Sequence, residues 1–328
     1  MARHADRFGA TGHRAKAALA LWPAAPIADG ADSPGSSGGG SGGGGGSGGG
    51  RRGDAVSVAA LLLSDSRFPA GGHAHSGGVE PAVTAGTVTD LGSLEAFLRG
   101  RLRTAGLVAA GLAAAACAHC AGERRDGDGG HGWGNWDQRI VQSDGFDFWG
   151  GIDGEADART PSPAQRGASR RQGRALLRAA RIAWPDDRGL ADLAESGAAT
   201  ARAAGSGAVS GAGASGAGAM AEYRGGPHHA VVLGAAAGAA GCCAADAARI
   251  AAYQSVAGPA SAAVRLLAFD PMRATAVLAR LTRDIDQIAE RAAAAADGPL
   301  DELPCPSAPA LDLLAEAHIR AEVRLFES

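Results

Sequence analysis

The apolar residues of this 328-residue chain are dominated by alanine, and aromatic side chains make up only 4%. Alanine is the strongest helix former and a poor strand former, so a chain that must build its core from it is directed toward packed helices. The fold class expected is all-α, as a single helical domain. At this length a buried core is not limiting. The one region that cannot contribute is Gly30 to Gly53, where Ser and Gly alternate with almost nothing apolar to bury. Residues 1–54 are therefore expected to be a disordered low-complexity head and Gly/Ser tether, and 55–328 the folded body.

Within the body two stretches break the helical pattern. Residues 122–157 hold Asp126, Asp128, Asp137, Asp144, Asp147, Asp153, Glu155 and Asp157 among many glycines, with Trp133, Trp136 and Trp149 as the large anchors. This reads as a long acidic internal loop. Residues 205–219 are a Gly/Ala-rich loop. Elsewhere the helix signals are clear. Thr89-Asp90 caps a segment whose Leu91, Leu94, Phe97, Leu98 and Leu102 share a face. Ser162-Pro163-Ala164-Gln165 has a hydroxyl N-cap, Pro at the first helical position and Gln at the third, predicting a helix to about Trp184, where Pro185 stops it. An Ala-rich helix pair from about His228 to Ala257 is expected to end at Gly258-Pro259. Asp270-Pro271 opens a helix with a seam of Leu278, Leu281, Ile285 and Ile288, and a last helix spans about 308–317.

Charge and residue types exclude several chemistries. The net charge of −3 gives no global attraction to nucleic acid or anionic lipid. Lys16 is the only lysine and sits in the head, so the folded part can hold neither a Walker lysine nor a lysine Schiff base. Five cysteines, an odd number, with no convincing secretory signal, fit reduced thiols in a cytoplasm. The apolar runs 105–118 and 230–245 are short of a bilayer span. A Gly-x-Ser-x-Gly pattern occurs only in the tether, which leaves a hydrolase without a positioned nucleophile. No cofactor motif is present.

Three features could carry function. The stretch from Ser64 to Glu80, LSDSRFPAGGHAHSGGVE with Leu63 before it, has paired glycines twice and two imidazoles, His73 and His75, but no third ligand at helical metal spacing. Cys117 and Cys120 stand three apart on one helix face, as a weak metal or redox pair or as small core residues. A cytoplasmic metal-dependent enzyme using His73, His75, Cys117 and Cys120 is the alternative these residues define. Finally, Arg166, Arg170, Arg174 and Arg178 recur every four residues along one helix face. They could track phosphates, form a solvated face, or pair with carboxylates at a protein interface. The negative net charge and the lack of interleaved aromatics favour the interface over nucleic acid.

The stretch ending at Glu80 resembles the N-terminal signature of the UreF-type urease accessory proteins. Three further stretches agree in order: SPAQRGASRRQGRALLR from Ser162, YQSVAGPASAAVRL from Tyr253, and HIRAEVRLFES from His318. The resemblance covers the chain from about Val58 to its end, apart from the acidic and Gly/Ala loops. It implies a non-catalytic, all-helical scaffold that dimerises and joins an accessory protein of the UreD/UreH type. Together these would recruit the nickel-carrying GTPase of the UreG type and bring it to apo-urease. In that role Ser66, Arg67, Phe68, Gly71, Gly72, His75 and Glu80 would shape one surface. Arg170, Arg174, Tyr253, Gln254 and Arg265 would form or support partner contacts. The tail, with Arg324 and Phe326, either completes its own core or docks on the partner, and the resemblance favours docking.

Overall fold

The computed structural model describes residues 57–65, 68, 75–127, 147–206, 225–321 and 323–326, except for the side chains of 123–127 and 198–206. The elements in chain order are α1 (Val58–Ser64), α2 (Val79–Thr84), α3 (Leu91–Arg101), a π-helical turn (Leu102–Gly106), α4 (Leu107–Gly127), α5 (Phe148–Ala158), α6 (Pro163–Ala183), α7 (Arg188–Ser206), α8 (His229–Ala239), α9 (Ala244–Leu267), α10 (Pro271–Arg280), α11 (Thr282–Ala294) and α12 (Pro309–His318). The protein is all-α. The expected head, the centre of the acidic loop and most of the Gly/Ala loop lie outside the described residues.

Helix α4 is the centre, with α8, α9 and α11 packed around it. The stretch Leu91–Gly122, continuous through the π-turn, is long and apolar enough to cross a membrane by length and composition. It is instead the core helix of this fold, with 67% of its most apolar window buried. Small side chains set its spacing to α8. A Cβ built on Gly234 would stand 2.2 Å from the Ala113 carbonyl oxygen, and one on Gly238 would stand 2.6 Å from Cys120 Cβ. With backbones this close, alanine and glycine supply through contact density what larger side chains would supply through area.

The cap signals place the helix starts. Asp90 Oδ1 accepts from Ser93 N at 2.8 Å, Ser162 Oγ from Gln165 N at 3.2 Å, and Asp270 Oδ1 from Met272 N at 2.9 Å. Three expectations need correction. The seam Leu278–Ile288 belongs to two helices, because the chain bends at Leu281, which is itself fully buried. The acidic loop is shorter than 122–157 at both ends: α4 runs on to Gly127, and Asp147 caps α5, which buries Phe148, Trp149, Ile152 and Ala156 on one face. Glycine and aspartate content conceals that apolar spacing.

The third correction is that α9 passes through Pro259 without a break. Proline removes the N–H that would bond the carbonyl four residues earlier. Here Arg101 Nε donates to that carbonyl, Ser255 O, at 2.9 Å, so a side chain from α3 replaces the missing amide.

Candidate functional site

Two regions gather the residues singled out from sequence, and a cavity lies between them. The first is the arginine face of α6. Asp153 and Asp157 are one turn apart on α5 and present both carboxylates to α6. Arg170, only 7% exposed, reaches Asp153 Oδ2 and Asp157 Oδ2, each at 2.7 Å, and donates to Gly226 O at 2.5 Å. Asp153 Oδ1 accepts from His228 N at 2.8 Å. The His228 ring lies between Asp157 Oδ1 (2.9 Å from Nε2) and Ser169 Oγ (3.0 Å from Nδ1). Burial alone would lower the Arg170 pKa, but the two aspartates outweigh it and raise it. Burial alone would likewise raise that of Asp157, yet the His228 hydrogen bond and the Arg170 charge hold it down at about 2.

This corrects the reading of the arginine stripe. Arg166 donates to Thr160 O at 2.7 Å and Pro161 O at 3.0 Å, and Arg174 to Gly225 O. Of the four arginines only Arg178 is exposed. The spacing puts the guanidiniums on one face, as expected, but that face clamps residues 225–229 and α5. Arg170, buried, can affect a partner only through the surface it holds in place, whereas Arg174 is half-buried.

The second region joins the N-terminal signature to the tail. Glu80, 7% exposed at the start of α2, accepts from Leu325 N at 2.8 Å and Phe326 N at 2.9 Å. His318 Nε2 lies 3.1 Å from Phe326 O. Phe326 is 9% exposed, and the Arg265 guanidinium stands over its ring at 5.6 Å. The expectation that Phe326 waits for a partner is therefore corrected: its aromatic ring is seated on its own body. Val323, Arg324 and Leu325 remain exposed. Gln254 donates to Leu63 O at 2.9 Å, tying α1 to α9 beside the exposed Tyr253, and Phe68 stacks on Trp184 at 6.3 Å. Ser66, Arg67, Gly71, Gly72 and His73 lie outside the described residues.

Truncation before Arg320 is accordingly expected to lower the melting temperature, because it exposes the Phe326 site and leaves Glu80 without its two amide donors. The cost is about 2–3 kcal/mol, or a fall of about 5–10 °C. An unchanged melt would show that the tail contributes nothing to the folded body.

Between the two regions lies a cavity of about 200 Å³, lined among others by His75, Arg101, Gln165, Ser169, His229 and Asp312. Burial, with the charge of His75 as a second cause, holds the His229 imidazole down at about 4. Cys117 and Cys120 are buried on the α4 side facing α8, where Cys117 Sγ donates to Cys242 O at 3.4 Å. Among the described residues no three His, Cys, Asp or Glu side chains are placed to hold a metal ion.

The pH response follows from these shifts. His229 titrates near 4 when folded and near 6.5 as an ordinary imidazole, so its contribution to stability is present above pH 6.5 and is lost as pH falls toward 4. The contribution of Asp157 is present above about pH 3.8 and is lost as pH falls through about 2. Denaturant unfolding at closely spaced pH values should show two successive declines. His229→Gln, which stays neutral, should remove the upper one. A flat profile between pH 6.5 and 4 in the parent protein would contradict the assignment.

Sequence reasoning does not single out Asp153, Asp157, Ser169 or His228 as site residues. Their positions depend on α5, which its composition disguises as loop, and on a bridge to α6 and the 225–229 segment that no local pattern encodes. The adjacent Pro227-His228-His229 is the one visible signal.

Comparison with known proteins decides what the fold belongs to. The UreF family model matches residues 88–282. The chain belongs to the UreF family. It is 40% identical to the urease accessory protein UreF of Mycolicibacterium vanbaalenii over 277 residues, covering 83% of this chain and 99% of that one. It is 39% identical to the same protein of Mycobacterium marinum and 38% identical to that of Mycobacterium tuberculosis, with 83% of this chain and 100% of each relative covered. In UreF terms, the arginine clamp and the Glu80 latch both lie in stretches that carried the resemblance.

Proposed function

We propose that this protein is a non-catalytic, cytoplasmic scaffold of urease maturation. It assembles as a homodimer with UreD/UreH-type and UreG-type accessory proteins, and the assembly delivers nickel to apo-urease. The observation that carries this reading is membership of the UreF family, with relatives matched along almost their full length under the name urease accessory protein. The surface is consistent with it. Val58, Leu61 and Leu62 on α1 are 79%, 59% and 48% exposed, and α1 packs on α9 near the 38% exposed Tyr253. An apolar face of this kind suits protein partners better than a reaction. With Lys16 the only lysine, nucleotide hydrolysis falls to the UreG-type partner.

The test is co-expression of the tagged full chain with its UreD/UreH-type and UreG-type partners and apo-urease. Co-purification of the UreD/UreH-type protein is expected, together with nickel-dependent urease activity that is lost when this chain is omitted. Urease that reaches full activity without it would end the proposal. Leu61→Asp with Leu62→Asp should weaken capture by at least tenfold while leaving the helical circular dichroism intact.

A further inference from the structure

The guanidinium of Arg101, a half-buried residue, lies where the Gly77-Gly78 turn meets α9. Gly77 has φ +58, and a Cβ there would stand 2.7 Å from Pro259 Cγ and 3.2 Å from Arg101 Cζ, so only glycine leaves room for the arginine beneath the turn. Arg101 Nε is used on Ser255 O. Among the described residues its two terminal amino groups have no hydrogen-bond partner, and no carboxylate stands within ion-pair distance. Burial lowers the pKa of Arg101 to about 10, so it remains a cation at neutral pH.

A guanidinium that faces a cavity without a counter-charge keeps its terminal donors open to an anion from outside. Arg101 lines the cavity of about 200 Å³, together with the neutral hydrogen-bonding groups of Gln165, Ser169 and His229. That volume exceeds the space one water needs. Asp312 is the acidic residue on its wall, and burial raises its pKa. With Nε engaged, the two terminal amino groups form the fork that pairs with two oxygens of one group.

We propose that this cavity binds a small oxyanion, a carboxylate or a phosphate, held by the two terminal amino groups of Arg101. The site is independent of the partner surfaces described above.

The experiment is calorimetric titration and thermal melting of the full chain with sodium acetate and with sodium phosphate, each against sodium chloride at matched ionic strength. One of the two should give saturable heat and raise the melting temperature by about 2–4 °C beyond chloride at roughly tenfold excess over Kd. The arm that saturates tells a carboxylate site from a phosphate site. Arg101→Gln, which keeps an amide donor toward Ser255 O but no charge, should lose at least tenfold in affinity. Ala109→Leu, which fills the cavity from α4 and leaves the guanidinium intact, should do the same and decides the matter if Arg101→Gln fails to fold. Shifts no larger than those of chloride, or undiminished affinity in a folded variant, would overturn the proposal.

Discussion

Arg170→Leu is expected to destabilise the protein by about 3–5 kcal/mol, a fall of roughly 10 °C in melting temperature. The residue is 7% exposed and, among the described residues, is the sole arginine bonded to both Asp153 and Asp157. Removing it leaves Asp153 with a partly buried charge and a single amide donor, leaves Asp157 with His228 and, at 3.7 Å, Arg166, and frees the Gly226 carbonyl. Leucine replaces much of the buried volume, so the loss reports electrostatics rather than a cavity. The discriminating measurement is a second set of variants. Asp153→Asn with Asp157→Asn, added to Arg170→Leu, removes the stranded charges and should recover part of the loss, while the same pair in the parent should be destabilising. A single-variant loss below about 1 kcal/mol, or no recovery in the triple variant, would mean that the cluster is a weak surface network.

The second large effect is expected at Gly234. Valine there would bring its Cβ to 2.2 Å from the Ala113 carbonyl and 2.7 Å from Ala116 Cβ, and neither neighbour can move without moving α4. The helices must part along a contact in which residues 230–238 of α8 are all buried. Overpacking of this kind costs about 1–3 kcal/mol when side chains can yield, and more where backbone opposes backbone, so a loss of about 4 kcal/mol or failure to fold is expected. Gly154→Ala is the control. A Cβ on Gly154 meets nothing within 4 Å, and alanine in an exposed helix position should stabilise by about 0.5–1 kcal/mol. Chemical unfolding of the two variants should therefore give opposite signs, and tolerance of Gly234→Val would show that the helix spacing is not fixed by this contact.

The two sites differ in how far sequence can anticipate them. The starts of α3, α6 and α10 are legible because a cap is a local event, decided within four residues. The arginine stripe is legible as a face, since spacing fixes direction, but not as a clamp. Whether Arg170 meets solvent, a partner or Asp153 depends on where α5 lies, and α5 carries its apolar residues among glycines and aspartates that resemble a loop. The tail escapes sequence reasoning on similar grounds. Nothing near Phe326 in sequence announces that Glu80 will accept its amide. Much of the N-terminal signature, Ser66, Arg67 and residues 69–74, falls outside the described residues, and Phe68 between them is placed by its stacking on Trp184.

The hydrogen bond from Arg101 to Ser255 joins positions 154 residues apart in sequence, yet it takes the place of a backbone bond within one helix. The second half of α9 therefore cannot complete itself by local zippering from its first half. Its continuity through Pro259 is completed by α3, so a contact of high sequence separation finishes this helix. A peptide spanning Ala244 to Leu267 alone should accordingly be helical only in its first part, the break at Gly258-Pro259 being a property of the segment that the assembled protein removes.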